Sequence, residues 1–130
     1  MKDQKTYSQT GAIIGWRKID NVKGRGVVAL QDIKKDTLLE TAPVIIVAAK
    51  DVPESGGAPD GFLLDWEPEE KGQEHCMPLG YIMLYNHSAN PNIYMENDHE
   101  AMTISAYAAR DIQKSEELTW DYSCDLWFDQ

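Results

Sequence analysis

Three short segments contain the residue types that could bind a ligand or act on one. The first is KGRG at residues 23–26, in which two glycines flank one residue and allow the backbone to approach a ligand closely. The pattern is weak by itself, because it lacks the third glycine of a dinucleotide-binding loop and precedes no helix. Such a pattern more often forms an ordinary hairpin turn.

The second segment, NHSANPN at residues 86–92, is dense in hydrogen-bond donors and acceptors and contains a proline turn. A side-chain amide beside a free backbone N–H could bind the edge of a purine, which offers both donors and acceptors. The alternative is a polar loop that caps its own backbone.

The third segment is EELTWDY at residues 116–122. In a strand, alternation would place Leu118, Trp120 and Tyr122 on one face and Thr119 and Asp121 on the other. Aromatic side chains on an inward face usually belong to the core. A tyrosine hydroxyl that reaches a cavity is the chemically interesting alternative.

The elements that position these segments are predicted to be mainly short strands, because β-branched and aliphatic runs alternate with turn residues. Their close spacing favours a folded-over β architecture over βαβ units. Residues 80–85 could form one short turn of helix, and residues 51–60 and 67–73 are loops by composition. The predicted strands are residues 12–16, 26–30, 37–39, 44–48, 62–64, 93–95, 103–106 and 117–120.

One pattern occurs twice in the chain. The sequence A-x-x-D-I-x-K, followed by a leucine four residues later, occupies residues 29–39 and again residues 108–118. Each copy predicts a strand, a tight turn and a second strand. Asp36 and Ser115 occupy the equivalent turn position, where a positive φ is often required. A pseudo-symmetric β fold would explain the repeat, and chance similarity is the alternative.

The length of 130 residues allows one domain, which buries roughly two-thirds of its unfolded surface. The net charge is −10, from 22 acidic and 12 basic residues, which is the wrong sign for a protein that binds duplex nucleic acid. An acidic surface favours a basic partner such as a lysine-rich peptide, and acidity for solubility alone is the alternative. We therefore predict no direct nucleic-acid partner.

Metal and membrane sites are not predicted. Cys76 and Cys124 form no C-x-x-C pair, and the three histidines are irregularly spaced, so we expect no metal and a reduced, intracellular protein. Residues 1–10 contain no apolar signal segment, and the longest apolar run, residues 42–49, is too short to span a bilayer. A cytoplasmic location follows as an expectation, with nuclear residence or export to a host left open.

Together and in this order, the three segments resemble the motifs of the SET domain family of protein lysine methyltransferases. Residues 24–26 resemble its G-x-G motif, residues 86–92 its N-H-S-x-x-P-N motif, and residues 116–122 its E-E-L-T-x-D-Y motif. The match extends over residues 13–122, and the short length resembles the minimal SET proteins of viruses and bacteria. The resemblance implies a mainly β SET-domain (β-clip) fold of small β-sheets with a C-terminal pseudoknot and little helix.

The resemblance also implies an activity, namely transfer of a methyl group from S-adenosylmethionine to a lysine amine of a basic protein, with histones as the best-known targets. Tyr122 would be catalytic, and Trp120 and Tyr85 would line the substrate channel. The implied cofactor-binding residues are Lys23, Gly24, Arg25, Gly26, Asn86 and His87. The whole chain, residues 1–130, would form one SET domain, closed by the short segment 123–130.

Three positions depart from the pattern of longer relatives. Trp120 stands where they usually have phenylalanine or tyrosine, so a bulkier indole would narrow the lysine channel and favour mono- or dimethylation. Met83 stands where they often have an arginine. Cys124 is isolated where they often have a cysteine-rich zinc segment, so Leu126, Trp127 and Phe128 are predicted to close the site with apolar surface instead.

Other functions are open at this point. The chain could be a SET-like peptide-binding module that has lost catalysis, or a β-clip domain that transfers no methyl group. A small-molecule methyltransferase is less favoured, because the chain lacks the Rossmann G-x-G-x-x-G pattern of that usual design. A homodimer is an open alternative to a monomer.

Overall fold

The computed structural model describes residues 5–9, 11–47, 64–65 and 75–121. Several predictions fall outside these described residues. They are the loops at residues 51–60 and 67–73, the start of the strand at residues 62–64, the catalytic Tyr122, and the closing segment 123–130.

The described residues form short strands with a single 3₁₀ helix at Ile82–Leu84. In chain order the strands are β1 (Ile14–Asp20), β2 (Gly24–Ala29), β3 (Leu38–Val47), β4 (Leu64–Asp65), β5 (His75–Pro78), β6 (Asn86–His87), β7 (Ile93–Asp98), β8 (Thr103–Ala108) and β9 (Glu117–Trp120). The expectation of many strands and little helix is confirmed.

The strands form two sheets. In the first, the order is β1-β2-β9-β6, and in the second it is β4-β5-β3-β8-β7. Most pairs are antiparallel, whereas β6 and β9 run parallel. The first sheet therefore contains strands from all three segments that the sequence selected.

The long strand β3 corrects one prediction. Residues 37–39 and 44–48 were expected to form two strands, but Leu38–Val47 is continuous. The polar stretch between the two apolar runs is accommodated, because Thr41 Oγ1 lies 2.9 Å from Ser105 Oγ and the Glu40 carboxylate accepts two hydrogen bonds. A register shift between Leu38 and Glu40 absorbs the irregularity.

Two strands were not predicted. The β5 sequence HCMP contains no β-branched residue, and β6 has only two residues, so neither produces a period-2 pattern. Both are defined by pairing with distant parts of the chain, β5 with β3 and β6 with β9. Their existence depends on tertiary contacts rather than on local propensity.

Among the described residues, a hydrophobic cluster combines buried side chains from both sheets. Strand β8 shows how the sequence builds it, because Ile104, Ala106 and Ala108 are buried while the residues between them are only partly covered. Other members come from distant parts of the chain, including Val27, Ile82, Tyr85, Leu118 and Trp120. The core thus holds together the same strands that carry the three motifs.

The repeated pattern corresponds to two equivalent turns that bind each other. Ile33 and Ile112 exchange both backbone hydrogen bonds, each at 2.8 Å. The side chain of Asp111 accepts a hydrogen bond from the backbone N–H of Lys35, and Asp32 accepts one from Lys114, both at 2.9 Å. This reciprocity shows that the repeat is structural.

The predicted backbone conformation at the two turns is also found. Asp36 has φ 69° and Ser115 has φ 75°, so both non-glycine residues adopt the left-handed conformation that the turn requires.

Candidate active site

The KGRG segment begins in the turn between β1 and β2. The side chain of Asp20 accepts hydrogen bonds from the backbone N–H groups of Val22 at 2.8 Å and Lys23 at 2.6 Å, which lowers the pKa of Asp20. Gly24 has φ 76°, a conformation that favours glycine. The segment therefore belongs to a hairpin, as such a pattern most often does. Through β2 it also lies beside β9.

The NHSANPN and EELTWDY segments meet through parallel pairing of β6 and β9. Asn86 is opposite Thr119, and His87 is opposite Trp120. The pairing continues beyond β6, because the N–H of Ser88 donates to the carbonyl oxygen of Trp120 at 3.1 Å. On its other side β9 pairs with β2, so this strand lies between the other two segments.

Asn92 stabilises this arrangement. It is the last residue of the second motif, but it was not among the predicted site residues. Its side-chain oxygen accepts a hydrogen bond from the N–H of Thr119 at 2.8 Å, and its Nδ2 donates to the carbonyl oxygen of Glu117 at 2.8 Å. The residue is 2% exposed. A buried amide that directly follows Pro91 is expected to have a structural role, and its hydrogen-bond partners show that it holds β9.

Asn86 and Gly26 lie in contact beside the carboxylate of Glu117. Asn86 Nδ2 donates to Glu117 Oε2 at 2.7 Å and to the carbonyl oxygen of Arg25 at 3.2 Å. A β-carbon on Gly26 would lie 2.9 Å from Asn86 Nδ2 and 2.8 Å from Glu117 Oε2, so a side chain there would collide with both. A side chain at this position would therefore displace one or both of these groups, so the glycine permits the close approach of the three segments.

Lys23 joins the same group. Its ammonium lies 2.9 Å from Glu117 Oε1, and this hydrogen bond together with the carboxylate charge raises the pKa of Lys23. Glu117 was not among the predicted site residues, although it belongs to the third motif. Its neighbour Glu116 also binds other residues, including Arg110 Nη2 at 2.8 Å.

Arg25 contributes its backbone to this group and directs its side chain elsewhere. The guanidinium lies 6.0 Å from the centre of the Trp16 ring, which stacks on Tyr7 with ring centres 4.4 Å apart. A shallow cavity of about 440 Å³ opens at this place. Its lining residues are Lys5, Tyr7, Trp16, Lys18, Gly24 and Arg25.

His87, the second residue of β6, has an exposed side chain. Its Nδ1 lies 3.8 Å from the Asp121 carboxylate, and its side chain is 45% exposed. The resemblance assigns His87 a role through its backbone, which lies in the parallel pair with β9. Most of the residues predicted to bind the cofactor thus lie in the β1–β2 turn, β2 and β6 of the first sheet, and their role in binding stays a prediction.

The two residues assigned to the substrate channel are both buried. Trp120 is 4% exposed and shares the inward face of β9 with Leu118, as alternation predicts. Tyr85 is completely buried, and its hydroxyl donates a hydrogen bond to Glu40 Oε1 at 2.7 Å. Their assignment to the channel stays a prediction, as does the catalytic role of Tyr122, which lies outside the described residues.

Glu40 has an unusual environment for a carboxylate. Besides Tyr85, it accepts a hydrogen bond from the N–H of Tyr81 at 3.1 Å, at the start of the 3₁₀ helix that precedes Asn86. Burial raises the pKa of Glu40, although these hydrogen bonds act in the opposite direction. Burial also raises the pKa of Tyr85 well above its usual range. The pair thus supports the segment that leads into β6.

Within the described part of the chain, no group of three or more histidine, cysteine, aspartate or glutamate side chains is arranged to hold a metal ion. None of the helices found there is long and apolar enough to cross a bilayer.

Residues 24–123 match the sequence profile of the SET domain. The chain belongs to the SET domain family. The predicted family and its mainly β fold are therefore confirmed.

Two curated relatives of this SET domain are named as histone-lysine N-methyltransferases. The H3 lysine-37-specific enzyme of Schizosaccharomyces pombe is 32% identical over 109 residues, which are 82% of this chain and 71% of the relative. The SUV39H2 protein of Xenopus tropicalis is 28% identical over 117 residues, which are 81% of this chain. The match spans only 29% of that longer protein.

Solved structures share the fold. A crystal structure of a candidate histone methyltransferase from Plasmodium falciparum superposes with a TM-score of 0.62 and 27% identity, covering 94% of each chain. A chain of an apo ctPRC2 structure superposes with a TM-score of 0.69 over 85% of this chain and 15% of that one. Since its identity is 18%, that second match concerns the fold alone.

Proposed function

We propose that this SET domain is a protein lysine N-methyltransferase that uses S-adenosylmethionine. The observation that carries the proposal is the convergence of Gly26, Asn86 and β9, which brings three distant motifs into one contact group. The histone-lysine methyltransferase names of both curated relatives support it.

The residues around Gly26 fit the amino-acid end of the cofactor. The missing β-carbon of Gly26 keeps the backbone close to Asn86, and no other atom lies within 4 Å of a β-carbon placed on Gly24. The region therefore combines an open backbone turn with an amide and an ammonium, groups that suit a zwitterionic ligand. Lys23, Gly24, Arg25, Gly26, Asn86 and His87 would hold it.

The bound cofactor supplies an electrophilic sulfonium methyl group, and the protein must supply the alignment of a neutral amine. Free lysine has a pKa near 10.4, so only about one side chain in a thousand is neutral near pH 7.4. Solvent can take the proton before binding, so a strong general base is unnecessary. Tyr122 would orient the methyl group and stabilise the shift of positive charge to the amine through its hydroxyl.

The substrate is proposed to be a basic protein, with a histone as the first candidate. The net charge of −10 attracts lysine-rich chains. Exposed acidic side chains follow one edge of the second sheet, at Glu96 and Asp98 in β7 and at Glu100 in the turn that follows. These charges would raise the rate of encounter with a basic peptide without fixing which lysine is modified.

Incubation with labelled S-adenosylmethionine and a panel of histones tests this function. We expect label in at least one basic protein, on lysine by mass spectrometry. Tyr122→Phe should lower turnover about a hundredfold with little change in thermal unfolding, because one oriented hydroxyl is lost. Binding of the cofactor without transfer to any protein would instead favour a SET-like binding module.

A further inference from the structure

The carboxylate of Glu117 connects two residues that are proposed to bind the cofactor. One oxygen accepts a hydrogen bond from Lys23 Nζ at 2.9 Å and the other from Asn86 Nδ2 at 2.7 Å. The Glu117 side chain is 17% exposed, against 45% for Lys23, so the carboxylate is shielded from water more than its cationic partner. The three residues join the β1–β2 turn, β6 and β9.

This contact fixes the direction of the Asn86 carboxamide. Both hydrogens of Asn86 Nδ2 meet acceptors, namely Glu117 Oε2 and the carbonyl oxygen of Arg25 at 3.2 Å. A reversed amide would place its oxygen against a carboxylate and a carbonyl oxygen, and neither of these can donate. The amide oxygen must therefore point away from both groups. An amide oxygen only accepts, so it selects a hydrogen-bond donor.

The packing around Gly26 leaves little freedom for another arrangement. A β-carbon at this residue would lie 2.7 Å from Ile19 Cγ1, in addition to its collisions with Asn86 and Glu117. The amide and the carboxylate thus occupy the space that a side chain on β2 would need. Their mutual hydrogen bond is held between two strands, which limits the loss of side-chain entropy on forming it.

We propose that Glu117 is a positioning residue that fixes Asn86 as the acceptor for the α-ammonium group of S-adenosylmethionine, with Lys23 holding the carboxylate. The inference rests on the proposed function and deepens it. The ammonium is the donor at the amino-acid end of the cofactor, and the carboxylate at the same end is an acceptor that an amide oxygen cannot bind. Glu117 would therefore determine the orientation in which the amino-acid end of the cofactor binds.

Glu117→Gln tests the proposal, because glutamine keeps the size of the side chain and can donate to the Asn86 oxygen, which removes one of the two acceptors that fix the amide. Two ligands that do not react are compared by calorimetry, S-adenosylhomocysteine and its analogue without the α-amino group. We expect the Kd for S-adenosylhomocysteine to rise about tenfold, as for loss of a charge-assisted hydrogen bond. The Kd for the analogue should change less than twofold.

Two further variants make the comparison specific. Lys23→Met removes the anchor of the carboxylate, so we expect a loss of about threefold that is larger for the ligand with the amino group than for its analogue. Glu96→Gln, an exposed residue of β7, should change neither Kd. Thermal unfolding identifies any variant that fails to fold. If Glu117→Gln fails to fold, the Kd values of Lys23→Met for S-adenosylhomocysteine and for its analogue test the proposal instead.

The selective effect is the result that a purely structural role would not produce. Equal losses for both ligands, or no loss for either, would overturn the positioning role while leaving the proposed function intact. Failure of the unaltered protein to bind S-adenosylhomocysteine would instead reject the proposed function itself.

Discussion

At the scale of single residues, Glu40 is a partly buried carboxylate that is held by the segment leading into β6. It accepts hydrogen bonds from Tyr85 and from the backbone at Tyr81, directly before β6. Because burial raises its pKa in the folded state, the stability that its protonated form contributes is present at low pH. That stability is lost as the pH rises from the unfolded pKa, near 4.3, through the higher folded value.

Glu40→Gln should remove this pH dependence, because glutamine is neutral throughout. We expect the difference in unfolding temperature, unaltered protein minus variant, to decrease as the pH rises from 4 to 7. Glu96→Gln, at an exposed position, should show no such trend. A constant difference between the unaltered protein and Glu40→Gln across this range would show that Glu40 is not held with a raised pKa.

The sequence singled out some residues of this contact group and missed others for a physical reason. Gly26 and Asn86 stand out by type and spacing, and they meet in the structure. Glu117 and Asn92 acquire their roles only through partners that are 24 to 94 residues away in the chain. No local pattern encodes such contacts, so only the assembled strands could show them.

At the scale of elements, β9 is the strand on which the site depends. It lies between β2 and β6, and Asn92 fastens it through Thr119 and Glu117. Its bounds were predicted correctly from alternation, since Glu117–Trp120 was expected and found. The parallel pairing with β6 could not be predicted from the sequence pattern, because a strand of two residues is too short to show the alternation of a β-strand.

Asn92→Ala should loosen β9. The change leaves the buried N–H of Thr119 and the carbonyl oxygen of Glu117 without their present partner, so we expect a loss of about 2–4 kcal/mol in the free energy of unfolding. Faster amide exchange at Thr119 should accompany it. Asn90→Ala, two residues away and exposed, should change neither quantity. Unchanged stability of Asn92→Ala would show that β9 is held by its strand partners alone.

The two related turns offer a different test. Ser115 has φ 75°, a conformation that asparagine tolerates better than serine does. Ser115→Asn should therefore raise the free energy of unfolding by about 0.5–1 kcal/mol, measured by urea unfolding. Ser115→Ala keeps the β-carbon and should give no gain. A gain of the same size in both variants would mean that backbone strain is not the cause.

At the scale of the whole molecule, the described strands share a hydrophobic core and bring parts of three separated motifs into contact. The repeated turns at Ile33 and Ile112 bind each other and join the two halves of the chain. The repeat was visible in the sequence, and the reciprocal contacts were not, since a pattern shows similarity without showing which copies meet.

The most direct measurement is a crystal structure of the complete protein with S-adenosylhomocysteine and a lysine peptide. The account predicts that the amino-acid end of the ligand lies between the backbone of residues 24–26 and Asn86, with the Tyr122 hydroxyl facing the sulfur. A ligand bound elsewhere, or a Tyr122 hydroxyl directed away from the sulfur and the lysine, would contradict it.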